Sequence, residues 1–95
     1  MIKNVIRFEC PCLDNRKSFY GKAIIEKWEF DQGNPIQCLI SYSTQVCKIN
    51  HKGEFVKLWN GYSNTTMRHI NSFRLMNGMD KISKSEWDNM TIGGY

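Results

Sequence analysis

Five residues, DQGNP (Asp31–Pro35), constrain this chain more than any others, because they stand between two stretches that each look like a β-strand. Upstream lies FYGKAIIEKWEF (Phe19–Phe30), rich in β-branched and aromatic residues; downstream lies IQCLISY (Ile36–Tyr42), with Ile36, Cys38, Ile40 and Tyr42 alternating on one side. Asp, Gly, Asn and Pro each favour turn conformations, so a turn between two such runs predicts an antiparallel hairpin. Gly21 inside the first run predicts a bulge or a close backbone approach.

The same logic extends along the chain. TQVCKIN and EFVKLW flank a Gly-containing turn at 50–53 and predict a second hairpin. Ile2–Phe8 alternates weakly and predicts a short edge strand, followed by a loop at CPCLDNRKS (residues 10–18). A helix is expected over 63–77, with Ser63 or Asn64 as N-cap and Gly78 at the left-handed position beyond its end. At about 100° per residue, Thr66, His69, Ile70, Phe73 and Met76 fall on one side, and Asn64, Arg68, Asn71, Ser72 and Leu75 on the other. Ile70 and Phe73 are then core anchors, with His69 at the edge of the buried stripe and Arg68 exposed. Next, Ser83 and Glu86 form an S-x-x-E capping box flanked by Ile82 and Trp87 as a hydrophobic staple, predicting a short helix over 84–90. The tail, TIGGY, reads as loose.

Strands first and helices last predict an α+β fold: a small antiparallel sheet of about four strands followed by two C-terminal helices. No repeat or linker interrupts the 95 residues, so residues 1–95 read as a single domain: strand and loop over 1–18, hairpins over 19–59, then the two helices. Twelve aromatics and a 41% hydrophobic content supply one core. The longest apolar stretches are too short to cross a bilayer, and MIKNVIRFEC has no signal-peptide-like run, which points to a soluble, cytoplasmic protein without a membrane partner.

Thirteen Lys and Arg against nine Asp and Glu give a net charge of +4, but the basic residues are scattered, with Arg16 and Lys17 the one adjacent pair. This permits contact with nucleic acid or an acidic protein without demanding it. Four cysteines, Cys10, Cys12, Cys38 and Cys47, read as free thiols in a cytosolic chain. Cys10-x-Cys12 lacks the spacer of common zinc knuckles, and Cys47-x3-His51 has no obvious second pair, so no metal and no cofactor is expected.

The segment GYSNTTMRHINSF (Gly61–Phe73) is the candidate site. A helix start offers free N–H groups and partial positive charge suited to an anion. Ser63, Asn64, Thr65 and Thr66 add polar groups, Arg68 a charged contact, and Tyr62 and Arg74 flank it. Ordinary capping explains Ser63 and Asn64 without any ligand.

SYSTQVCKI followed by YSNTTMRHINSF also resembles a small domain found in uncharacterised proteins of bacteriophages and their bacterial hosts, in which an S-Y-x-T-x-V strand precedes a Y-S-x-T-T-x-x-H helix. Tyr42, Thr44, Val46, Tyr62, Ser63, Thr65, Thr66 and His69 carry the resemblance, which implies a phage or prophage origin, and so the host-cell cytoplasm, but no chemistry. Three functions follow in order of expectation. The first is an accessory binding protein that occupies a host protein or nucleoprotein surface, for instance as an inhibitor of a host defence system. The second is a nucleic-acid-binding module using Arg68, Arg74 and aromatics such as Trp28, Tyr42, Trp59 and Tyr62. The third, a Cys/His enzyme pairing Cys47 with His51 or His69, has the least support, because no Walker A loop, G-x-G-x-x-G, H-E-x-x-H or nucleophile elbow is present. Oligomeric state is not legible.

Overall fold

In the computed structural model, which describes residues 2–14 and 18–93, five antiparallel strands form one meander in the order β1-β2-β3-β4-β5. They are β1 (Ile2–Glu9), β2 (Ala23–Phe30), β3 (Ile36–Ser41), β4 (Thr44–Ile49) and β5 (Phe55–Lys57), followed by the helices α1 (Asn64–Met76) and α2 (Lys84–Asn89). The α+β expectation is met, with five strands where about four were expected. The Arg16–Lys17 pair and the last two residues of the tail, 94–95, lie outside the described residues.

The helices cover one face of the sheet. Ile25, Leu39 and Cys47 stand in adjacent strands at one level of the ladder, and all three are fully buried with Ile70, Phe73 and Trp87. Gln37 and Ser41 share that face: the Gln37 amide donates to Asn77 Oδ1 (3.0 Å), and the Ser41 hydroxyl meets α1. The alternating stripe Ile36, Cys38, Ile40 therefore lies on the other face, which neither α1 nor α2 covers. There it neighbours Trp28 and Ile24 of β2. Both faces of β3 carry apolar residues, so alternation alone could not select the covered one.

Two expected elements are shorter or tighter than the sequence suggests. The first strand run begins at Ala23, not Phe19, because Tyr20 and Gly21 adopt φ of 53° and 76° and fold back through a Lys22 N–H to Phe19 carbonyl bond (2.9 Å). The tail is not loose where it is described: Ile92 makes a parallel bridge with Lys57, and the Gly93 N–H donates to the Lys57 carbonyl (2.9 Å).

The helices end where local chemistry dictates. Ser63 caps α1 by accepting from the Thr66 N–H (3.0 Å). At the other end Gly78 has φ of 78°, with Gly78 N–H to Leu75 carbonyl (3.0 Å) and Met79 N–H to Arg74 carbonyl (2.8 Å), the paired bonds of a Schellman motif. Both bonds of the α2 capping box are formed, and Ile82 and Trp87 are buried beside it. Buried Lys57 donates to the Trp87 and Met90 carbonyls (2.7 and 3.3 Å), satisfying two acceptors at the C-terminal end of α2.

Candidate binding surface at the turn end of the sheet

Two pairs of left-handed residues, one in each of two turns, mark one end of the molecule. The Phe19–Lys22 turn carries Tyr20 and Gly21 at positive φ, and the β3–β4 hairpin turn carries Tyr42 (φ 49°) and Ser43 (φ 74°). Positive φ at both central residues is the signature of a type I′ turn, the two-residue loop that matches strand twist, and it normally selects Asn-Gly. Here the two turns hold three non-glycine residues in a conformation that costs an L-residue roughly 1–2 kcal/mol. The turns are neighbours, since the Tyr42 N–H donates to the Lys22 carbonyl (2.9 Å). Both tyrosines point outward: Tyr20 is 74% and Tyr42 51% exposed. Strain of this kind concentrates where ligands are gripped, which makes the two exposed rings a candidate binding feature.

Between these turns and the first turns of α1 lies an open depression of about 350 Å³, walled by Tyr20, Lys22, Tyr42, Thr65, Arg68 and His69. Lys22 Nζ stands 5.9 Å from the centre of the Tyr42 ring. His69 forms the floor. It is fully buried, not at the margin of the helix's covered face as its wheel position suggested, with Phe19 edge-on at 4.4 Å and Tyr42 tilted at 5.6 Å. Its Nδ1 lies 2.8 Å from Ser41 Oγ, which is itself 3.1 Å from Thr66 Oγ1, so a chain of polar groups ties α1 to β3 inside the core. His69 Nε2 is buried without a hydrogen-bond partner among the described residues. Burial, and secondarily the Arg68 charge, pushes the imidazole pKa down to about 4 against a weaker opposing pull from Asp14, so the ring is neutral at pH 7.

The residues singled out by sequence divide into three groups. Thr65 and Arg68 reach the depression. Ser63 and Thr66 are occupied by the fold itself, as N-cap and as partner of Ser41. Tyr62, Asn64 and Arg74 lie elsewhere. Tyr62 donates to Asn64 Oδ1 (2.8 Å) and has Lys84 Nζ 4.9 Å from its ring, which turns it towards α2. Arg74, two turns further along α1, donates to the Asp80 carbonyl (2.7 Å) and stacks its guanidinium 4.5 Å from the Phe55 ring.

Arg68 requires a correction. It is not a free exposed cation: Nε and Nη2 grip both oxygens of Asp14 (2.6 and 3.1 Å), and its guanidinium sits 5.1 Å from the Phe19 ring. The hydrogen bond it donates to the Asp14 carboxylate raises its pKa. With the Leu13 N–H to Ser72 Oγ bond (3.1 Å), this pair straps the 10–14 segment along α1. That also explains why Ser72, placed by the helical wheel on the exposed side, is buried.

Tyr20, Lys22, Ser41 and Asp14 escaped the sequence reading as site residues. The usable signal for Tyr20 was the Tyr-Gly pair, a turn dipeptide inside an otherwise strand-like run. For Ser41 and Asp14, whose partners are 28 and 54 positions away, there was none.

The thiols are poor nucleophiles. Burial raises Cys10 to about 12 and Cys38 to about 11, drives Cys47 well above its ordinary value and is the first cause of the rise at Cys12. Cys47 is in the core while His51 is on an exposed turn, so that pairing does not form. No disulfide joins the four cysteines. Among the described residues, no three or more His, Cys, Asp or Glu side chains are placed to share a metal ion, and no helix is long and apolar enough to cross a membrane.

Comparison with known proteins places residues 9–89 in a family of unknown function, DUF8033, and the chain belongs to that family. The matched segment holds β2 to α2 and the site residues, whereas β1 lies almost wholly before it. No curated protein and no solved structure matches the chain.

Proposed function

We propose that this member of a family without an assigned activity is an accessory binding protein of the phage type, which acts by occupying a host protein or nucleoprotein surface with its two tyrosine turns. One observation carries the reading: Tyr20 and Tyr42 stand exposed on neighbouring turns, on positive-φ backbone that a stability-driven sequence would give to Asn or Gly. Tyrosine is a frequent energetic anchor of protein interfaces, because a rigid ring buries large area at small entropic cost and its hydroxyl still hydrogen-bonds. The depression behind the rings, with Lys22 at its wall and neutral His69 at its floor, has the form of a socket for a partner side chain. Burial of Cys10, Cys38 and Cys47, which raises their thiol pKa values, favours binding over catalysis. The resemblance to phage and prophage domains supports the origin, and a defence complex of the host is the version of this reading with a direct biological readout.

The test is affinity capture from bacterial lysate, with the wild type and the Tyr20→Asn/Tyr42→Asn double variant as baits. A defined partner retained by the wild type and lost with the variant is the expected result. Equal capture by both baits contradicts it.

A second reading rests on the cation beside a ring. Lys22 next to Tyr42 is a phosphate contact next to a stacking platform, the pairing used to hold single-stranded nucleic acid. Loss of capture after nuclease treatment, together with a steep fall in binding with salt, selects that reading over a protein partner.

A further inference from the structure

The two edges of the sheet are treated differently. At β5 the edge is short, three residues, and the chain returns to cover it through the Ile92 bridge and the Gly93 N–H to Lys57 carbonyl bond. At β1, nothing among the described residues covers an edge of eight residues. Every residue of β1 but Phe8 is exposed, including the apolar Ile2, Val5 and Ile6 at 46%, 48% and 37%. A long bare edge with apolar side chains is a template for another strand, and monomeric proteins normally shield it.

The backbone shows which groups are offered. The Cys10 N–H bonds the Ala23 carbonyl (2.9 Å), so Cys10 and Ala23 form a hydrogen-bonded pair at the end of the β1–β2 ladder. Such pairs alternate along an antiparallel ladder. Phe8, Ile6 and Asn4 therefore direct their backbone groups to β2, and Val5, Arg7 and Glu9 direct theirs outward. An incoming antiparallel copy of β1 must likewise offer its own odd-numbered residues, which leaves few registers. Placing Val5 opposite Val5 brings Lys3 against Arg7, and placing Arg7 opposite Arg7 sets like charges face to face. The register centred on Ile6 sets Val5 against Arg7 and Lys3 against Glu9, twice over by symmetry. It alone of the three opposes no like charges, and it brings the two Ile6 side chains together at the two-fold axis. Lys3, at the irregularity between Ile2 and Asn4, and Glu9 are in no ion pair within the chain among the described residues, and Arg7 stays held by Glu26 (3.4 Å).

We infer that β1 pairs antiparallel with β1 of a second copy, centred on Ile6, to make a symmetric dimer with one continuous sheet. The dimer edge and the tyrosine-turn surface use different residues, the latter being Tyr20, Lys22, Tyr42, Thr65, Arg68 and His69.

The test is sedimentation equilibrium of the full chain over a range of concentrations, with circular dichroism to verify folding of each variant. The wild type should fit a monomer–dimer equilibrium. Lys3→Glu and Glu9→Lys should each weaken the dimer by roughly tenfold or more, since each change replaces two attractive cross-strand pairs with two repulsive ones. An equimolar mixture of the two variants should restore dimerisation, because every 3–9 contact between unlike chains is again Glu against Lys. Hydrogen exchange provides a readout that needs no variant: the amides of Val5 and Arg7 should gain protection as concentration rises. A wild type that stays monomeric, or a dimer indifferent to both charge reversals, overturns the inference.

Discussion

The α2 corner and the tyrosine-turn end are built from opposite choices. At α2, each local rule is obeyed: a capping box with both bonds formed, a buried Ile82–Trp87 staple, and Lys57 on the C-terminal carbonyls. Trp87 is fully buried and still satisfies its indole N–H on the Gly61 carbonyl (2.9 Å). At the tyrosine turns the rules are broken together. Tyr20, Tyr42 and Ser43 occupy backbone suited to Asn or Gly, two large rings face solvent, and a buried imidazole nitrogen lacks a partner among the described residues. Agreement across levels marks a region that exists to fold, while concentrated violations mark one held for another purpose. The difference separates scaffold from surface within a chain of 95 residues.

That contrast breaks first at Trp87. Trp87→Ala should cost about 3–5 kcal/mol, as for other buried aromatic deletions, and leave a protein of this size barely folded. Urea denaturation checks it; a loss below about 1 kcal/mol would mean that the α2 corner is an appendage and not part of the core.

His69 sharpens the contrast through pH. Its folded pKa, about 4, lies below its ordinary 6.5, so the unfolded chain takes up the proton first as pH falls. The stability that the neutral ring contributes is intact above pH 6.5, declines between about 6.5 and 4, and levels off below. At 1.36 kcal/mol per pH unit the total is about 3 kcal/mol. His69→Asn should remove this component of the pH dependence, leaving that of the carboxylates. A wild-type profile flat from pH 7 to 5 contradicts a buried neutral imidazole.

Arg68→Ala comes next. Because both partners of the Arg68–Asp14 pair are about three-quarters buried, with side chains 26% and 25% exposed, the expected loss is about 1–2 kcal/mol after allowance for screening. Asp14→Asn should cost a similar amount, and the double variant little more than either single change, since both remove the same strap. Additive losses would show that Arg68 and Asp14 act separately.

What was legible in the sequence was what is decided locally. Ser83 and Glu86 are three residues apart, DQGNP needs no distant partner, and Gly78 ends α1 whatever lies beyond it. What was not legible depended on distance or on exception. The face of β3 that the helices cover is chosen by Leu39 and by the polar anchors Gln37 and Ser41, whose partners lie on α1. The same distant partner moved His69 from the margin of the core to its centre. The Tyr42–Ser43 turn was invisible because it lacks the Asn or Gly that announces a two-residue hairpin loop, and the absence of those residues is itself what makes the turn a candidate site. Arg68 looked like a free cation on the helical wheel because its carboxylate is 54 positions upstream.

The most direct test of the central claim exchanges the tyrosines for the residue their backbone prefers. In Tyr20→Asn/Tyr42→Asn, relief of left-handed strain offsets the lost ring contacts, and Tyr20→Asn creates the favoured Asn-Gly turn with Gly21. The urea midpoint should be unchanged or higher, while the partner captured by the wild type is lost. A variant destabilised by more than about 1 kcal/mol, or one that keeps its partner, would show that the two rings serve the fold and not a binding surface.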